Sequence, residues 1–345
     1  MMRLAVIGAG RIGAVHAAAV AAHPAAQLVL VADPDVAAAA RIAEPHGARW
    51  TGSVEEVFAD PTIAAVIVGS PTRFHVEQIV AAVRAGKAVL VEKPVDLDLA
   101  RVDECLATVG ADAHRVMVGF NRRFDPGFAE VKRRVDAGEI GALEQLTIIS
   151  RDPQAAPAGY LVGSGGIFRD MTIHDFDMAR FLLGDVVEVS AVGQNLDPEI
   201  AAIGDFDAAV VTLTGASGAV ATIINSRHCA TGYDQRLEAF GPLGSLEAGN
   251  HTATTVRFNG PGVSAAAGPY LDFFLERYAV AYRAELDHFL AAIGSGAAPS
   301  PTLVDGREAL ALAEAATVSA RTGERVRLTP TTHVTTHAST REASS

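Results

Sequence analysis

The stretch RLAVIGAGRIGAVHAAAVAA, residues 3–22, constrains the fold more than any other part of the chain. Residues 4–7 are a short apolar run, Gly8, Gly10 and Gly13 follow with GxGxxG spacing, and an Ala-rich segment continues to Ala22. Strand, tight turn and helix in that order open a parallel α/β sheet. The glycines have separate duties: Gly8 permits the turn, Gly10 lets the backbone approach a pyrophosphate, and Gly13 lets helix and strand pack closely. The phosphates then face the free N–H groups of the helix N-terminus. Arg11 and Ile12 complete the loop and belong to the same candidate site.

The second apolar run, LVLVAD, ends in Asp33, 20 residues past Gly13. A carboxylate there accepts hydrogen bonds from the adenosine ribose and repels a 2′-phosphate, so the expected cofactor is NAD, with NADP kept open by Arg11. Apolar runs at 64–69, 88–91 and 115–120 alternate with helical stretches at 53–59, 74–85 and 97–109. That alternation predicts a doubly wound parallel sheet, with ligands beyond the carboxyl ends of its strands. SPTRFH (70–75) and EKP (92–94) fall there, which adds Ser70, Thr72, His75, Glu92 and Lys93 to the cofactor-binding candidates. Pro94 cannot continue a ladder, so Lys93 is expected at the sheet edge near the nicotinamide, where it can stabilise an alkoxide.

After Phe120 the alternation gives way to strands at 143–151, 186–195, 207–213, 219–227, 235–240 and 254–258. Short turn-rich links such as GASGA and GPLGS predict antiparallel pairing. The expected domains are therefore residues 1–120 and 121–329, with helices at 271–293 and 305–321 capping the second or crossing back onto the first. The Thr/Ser-rich end, 330–345, is expected to be disordered, and its His333 and His337 to be solvated rather than a metal pair.

Composition narrows the partners. The net charge of −12 and the lack of any basic run argue against nucleic acid and for a small molecule. Cys105 and Cys229 form neither a disulfide framework nor a zinc spacing, so no metal is expected. MMRLAVIGA is too short for a leader and no 18-residue apolar span occurs, so the expected setting is the cytoplasm, away from membranes.

Residues 165–180, GGIFRDMTIHDFDMAR, set Asp170, His174, Asp175 and Asp177 among core-type apolar residues. The pattern predicts a largely buried helix from Asp170 to Leu183, stopped by Gly184. Asp170 and His174, four apart, share a face, whereas Asp175 and Asp177 are expected at the surface or at a subunit contact. Oxidation of a secondary alcohol needs a base for the hydroxyl proton, which imidazole supplies near neutral pH, and Asp170 can orient the ring. Arg122 with Arg123 reads as a solvated pair at a domain junction, Asp152 as the start of an Asp-Pro turn, and Tyr233 as a strand-end aromatic.

The succession GAGRIG, VADPD, SPTRFH and VEKP resembles the Gfo/Idh/MocA oxidoreductases, over nearly the whole chain to about residue 329. The resemblance implies an α/β N-terminal Rossmann domain and an α+β C-terminal domain with a large, mostly antiparallel sheet that supports dimers or tetramers. GGIFRDMTIHDFDMARFLLG, GFNRRFDPGF, SRDP, GYDQRLEAFG and FFLERYAVAYRAELDHF are similar to one branch, the inositol 2-dehydrogenases. By that similarity Lys93, Asp170 and His174 are the catalytic set, and Arg122, Asp152 and Tyr233 help to hold a polyol. The implied reaction is oxidation of myo-inositol to its 2-keto product with NAD, in a cytoplasmic homotetramer. Other inositol isomers or a pyranose remain alternatives, as does a dinucleotide-binding regulator on the same fold. The exported, leader-bearing branch named for glucose-fructose oxidoreductase is disfavoured.

Overall fold

The computed structural model describes residues 1–329. The expectation for 330–345, with His333 and His337, lies outside the described residues. The first half builds six parallel strands, β1 (Met2–Ile7), β2 (Ala26–Ala32), β3 (Arg49–Thr51), β4 (Ala65–Val68), β5 (Ala88–Glu92) and β6 (Val116–Gly119), ordered β3-β2-β1-β4-β5-β6. Helices α1 (Arg11–Ala22), α2 (Val36–Ala43), α3 (Val54–Ala59), α4 (His75–Arg84) and α5 (Leu99–Val109) connect them. Every residue of β4 and β5 is buried, which is why these strands read as unbroken apolar runs rather than as alternation. The strand order reverses between β1 and β4, opening the crevice that the glycine loop enters.

Close backbone approach sets the glycines there. A Cβ on Gly13 would stand 1.9 Å from the Gly8 carbonyl oxygen, and Gly8 itself has φ +100°. Only glycine fits both positions.

Helix α6 (Pro126–Asp136) leads into the second half, where β7 (Gln145–Arg151), β8 (Val186–Gln194), β9 (Ala208–Gly215), β10 (Val220–Ser226), β11 (Asp234–Gly241) and β12 (Gly244–Ala248) form another sheet. Helices α7 (Ala158–Ser164), α8 (Ile173–Leu183) and α9 (Pro198–Ala202) lie between β7 and β9 in the chain. The strand expected at 254–258 is instead β13 (Arg257–Gly260), paired with β14 (Val263–Ala267) in a separate hairpin. The expected helix 271–293 is broken at Tyr278 into α10 (Phe274–Arg277) and α11 (Ala279–Ser295). Last come α12 (Leu303–Thr322) and β15 (Val326–Arg327), which completes the order β12-β11-β7-β10-β9-β8-β15. This sheet is mixed: β7 and β10 run parallel, and its other described pairs are antiparallel. Alternating burial along β7, β9 and β10 turns one face towards α8. On the other face Val192, Val210 and Val220 are exposed.

The C-terminal helices bind the halves together. Helix α11 packs on α1, while α12 crosses α8 and β8 and reaches α5 and β6. Asp175 and Asp177, expected at the surface or a subunit contact, are buried within the chain, at 0% and 1% exposure. Most of helix α8 is buried, and the two consecutive arginines after β6 pair with these two carboxylates. Arg122 Nη1 lies 2.5 Å from Asp175 Oδ1, and Arg123 grips Asp177 with two bonds of 2.8 and 2.6 Å. The reading of Arg122 and Arg123 as a solvated pair therefore gives way to a buried clamp. Arg123→Met leaves the Asp177 carboxylate without its principal cation and is expected to lower stability by about 3–5 kcal/mol, read from the urea unfolding midpoint; Arg123→Met/Asp177→Leu should recover much of the loss.

Candidate active site

The glycine loop forms a cradle. Gly8 N–H donates to Ala32 O at 2.8 Å, extending the β1–β2 ladder up to the turn. Gly10 is the N-cap of α1 with no side chain capping the helix, and a Cβ added there would meet nothing within 4 Å. Uncapped N–H groups facing open space at a helix N-terminus are what a pyrophosphate requires. Asp33 is fixed beside the loop, its Oδ2 accepting from Ala9 N at 2.7 Å and its Oδ1 from Asp35 N at 2.8 Å. Carboxylate oxygens accept more than one bond, so capacity remains for ribose hydroxyls. Arg11 is turned towards the second half, with its guanidinium 5.2 Å from the centre of the Phe273 ring, and it makes no ion pair with Asp33 among the described residues. Ile12 packs against the buried cluster of Tyr233, Tyr278 and Tyr282.

Beyond β4 and β5 several candidates brace the cradle rather than line it. His75 is buried, with Nε2 2.8 Å from Ser70 O and Nδ1 2.8 Å from Pro94 O, so it ties the loops after the two strands together. Burial lowers its pKa, while the two carbonyls oppose that shift by favouring the ring form that donates from both nitrogens. Ser70 Oγ donates to Gln78, and Glu92 meets His16 Nε2 at 2.8 Å. Thr72 opens a short turn, half-buried.

Lys93 stands half-buried after β5 and crosses to the second half, its Nζ donating to the backbone oxygen of Asp170 at 2.9 Å. The segment around Asp170 is not the start of a regular α-helix, as the pattern predicts. Residues Phe168–Thr172 form a π-helical turn that leads into α8, a widening found repeatedly at functional sites. The turn redirects the Asp170 carboxylate: Oδ1 accepts from Tyr160 Oη at 2.9 Å, and Oδ2 faces Arg227 Nη1 at 3.4 Å. Orientation of the His174 ring by Asp170 is not what the structure shows, since no hydrogen bond joins them among the described residues. The imidazole lies edge-on to Phe120, at 6.1 Å between centroids, and its Nδ1 is buried without a partner among the described residues. Burial lowers the His174 pKa well below its ordinary value, and the charges of Lys93 and Arg122 add to the effect. Both effects favour the uncharged ring.

Around it, Arg122 is held from behind by Asp175 and by Ser150 Oγ at 2.8 Å, and lies 5.7 Å from the Tyr278 ring centre. Burial raises Asp152 to about 6, against the pull of Arg122 and with the push of Asp170. Burial likewise holds the Tyr233 phenol well above its usual range, so it stays a donor. Lys93, Asp170, His174, Arg122, Asp152 and Tyr233 thus share one electrostatic environment, a polar cluster that draws on both halves of the chain. Sequence reasoning missed Tyr160 and Arg227. Tyr160 sits in the unpatterned stretch APAGYLVGSGG, and Arg227 passes for the polar end of a strand; the available signal was a lone arginine closing an apolar run.

Two families of likeness bear on this geometry. Residues 2–120 match an oxidoreductase family with an NAD-binding Rossmann fold, and residues 128–247 match the GFO/IDH/MocA C-terminal domain. An inositol 2-dehydrogenase of Rhizobium meliloti (strain 1021) is 47% identical over 317 residues, covering 91% of this chain and 96% of that protein. The crystal structure of a myo-inositol dehydrogenase from Corynebacterium glutamicum ATCC 13032 superposes with a TM-score of 0.94 at 52% identity, over 96% of this chain and 100% of that one. A scyllo-inositol dehydrogenase from Lactobacillus casei, with bound NAD(H) and scyllo-inositol, superposes with a TM-score of 0.87 at 28% identity, over 95% and 99%. Similarity running through both sheets, and not through the common α/β half alone, settles kinship: the chain belongs to the Gfo/Idh/MocA oxidoreductases and carries their NAD-binding Rossmann domain.

Proposed function

We propose that the protein is an NAD-dependent inositol dehydrogenase that oxidises myo-inositol to its 2-keto product. The observation that carries this reading is the Lys93 ammonium crossing from the cofactor half to the Asp170 carbonyl, where its charge acts on the buried His174 imidazole. Gly8, Gly10, Arg11, Ile12 and Gly13 hold the pyrophosphate, Asp33 the adenosine ribose, and Ser70, Thr72, His75 and Glu92 shape the loops behind the nicotinamide. When bound, NAD+ supplies the hydride acceptor. His174 takes the hydroxyl proton as the C–H bond breaks, and Lys93 donates a hydrogen bond to the same oxygen, favouring its developing negative charge. Asp170 offsets the cations. Arg122, Asp152 and Tyr233 meet the other hydroxyls of the ring, and a ligand that left them unmatched in a closed chamber would bind poorly.

The exposed apolar side of the second sheet, including Val192 at 69% and Val210 at 46%, supports a homo-oligomer, and a tetramer is our reading. No helix among the described residues is long and apolar enough to cross a membrane. We place the enzyme in the cytoplasm.

The rival substrate is scyllo-inositol, the ligand of the Lactobacillus casei relative. An NADH-formation screen over inositol isomers and hexoses, repeated with NADP+, should give the highest kcat/KM for myo-inositol with NAD+; a higher value for another polyol overturns the substrate assignment. His174→Ala and Lys93→Ala should each lower kcat about 10²- to 10⁴-fold, and near wild-type turnover in both would remove them from the chemistry. The pH profile provides a separate check. With the His174 pKa depressed, the base stays unprotonated to low pH, so the acid limb of kcat/KM should follow Asp152, with its midpoint at about 6 and activity lost as pH falls through it. Asp152→Asn should flatten that limb and raise KM.

A further inference from the structure

Arg227 follows β10 and is among the largest side chains wholly enclosed by the protein. Its guanidinium reaches two carboxylates, Asp205 Oδ2 at 3.0 Å through Nη2 and Asp170 Oδ2 at 3.4 Å through Nη1. The second oxygen of Asp205 accepts from the N–H of Ile167 at 2.8 Å. Ile167 follows Gly165 and Gly166, whose φ angles of +86° and +85° turn the chain sharply, and Asp170 N–H donates back to Gly166 O at 3.0 Å. A closed circuit results: the double-glycine turn, Asp205, Arg227, Asp170 and the turn again. The other oxygen of Asp170 is occupied by Tyr160.

We propose that Arg227, anchored by Asp205, is a positioning residue for the reaction, fixing the Asp170 carboxylate and with it the backbone oxygen that Lys93 Nζ holds. This rests on the dehydrogenase reading above. The circuit includes the residue whose carbonyl holds Lys93, which separates it from the Arg123 clamp. Moving Asp170 moves its carbonyl, and the ammonium bonded to that carbonyl follows. The planar fork of a guanidinium spans two carboxylates, which a single ammonium on a shorter reach does not.

The ionisable groups facing Arg227 are Asp170 on the π-helical turn, Asp205 before β9, Asp152 after β7 and Tyr160 on α7. Its charge counters the burial that raises Asp152. Arg227→Met and Arg227→Lys, made in the full-length enzyme and assayed with NAD+ and myo-inositol, separate the two effects. In Arg227→Met, kcat should fall about 10²-fold, the effect of a misplacement of about 1 Å near the chemistry. KM should change little, and the acid limb of kcat/KM should move to higher pH because Asp152 loses a cation. NADH affinity, read by fluorescence titration, should be unchanged. Arg227→Lys should return the limb towards its wild-type position while restoring kcat only in part. If Arg227→Met fails to fold by thermal melt, Asp205→Asn decides, since it keeps Arg227 and an oxygen for Ile167 N–H; a fall in kcat with unchanged NADH affinity is expected. Wild-type kcat and limb in folded Arg227→Met, or wild-type kcat in Asp205→Asn where the first does not fold, overturns the proposal. A wild-type enzyme that prefers another polyol overturns the substrate reading alone, and the Arg227 comparison is then made with that polyol.

Discussion

Two neighbouring guanidinium groups at the end of the first sheet carry the geometry of everything downstream. Arg122 and Arg123 emerge from the short turn after β6 and enter the second half, each meeting a carboxylate of α8. Charges so far from water are tolerated only when paired and hydrogen-bonded, and here they are: Asp175 also accepts from Ser150 and Asn225, and Arg123 reaches Asp305 at the start of α12. His174 precedes Asp175 in the chain. His174 is thus held relative to the glycine loop by ion pairs on the helix that carries it, and the clamp fixes that helix as well as neutralising its charges.

The polar cluster around His174 shows how burial selects protonation states. Desolvation lowers His174 and raises Asp152, moving both towards neutrality near pH 7, while Tyr233 stays protonated. Fixed cations keep the movement within bounds for Asp152, because Arg122 and Arg227 favour its charged form. The result is a wall of hydrogen-bonding groups with modest net charge, suited to an uncharged ligand rich in hydroxyls.

Local signals made the first half legible. The glycine spacing, the acid ending β2 and the apolar runs each depend on residues close in the chain, and the parallel sheet followed. The three-residue β3 was too short to leave a pattern, with Thr51 its one buried residue. In the second half, alternation identified strands but not partners, so the parallel pairing of β7 with β10 was invisible; it depends on which distant segment lies alongside. The misreading of Asp175 and Asp177 has the same origin. A carboxylate in an apolar helix looks like surface until the arginine that meets it, more than fifty positions earlier in the sequence, is seen beside it. Asp170 and His174 stand out in the sequence by their spacing, yet the π-helical turn that points the carboxylate at Tyr160 and Arg227 instead of at the imidazole left no trace in residue types.

The bond from Lys93 to the Asp170 carbonyl has a consequence for how that ammonium behaves. An amine at the end of a four-carbon stem ordinarily spins freely and spreads its three N–H vectors over many directions. Committing one of them to a backbone oxygen stops the rotor, and the remaining two point along fixed lines before any ligand arrives. An oxygen that approaches Lys93 meets an ammonium already partly ordered, so less rotational freedom is left to be lost on binding.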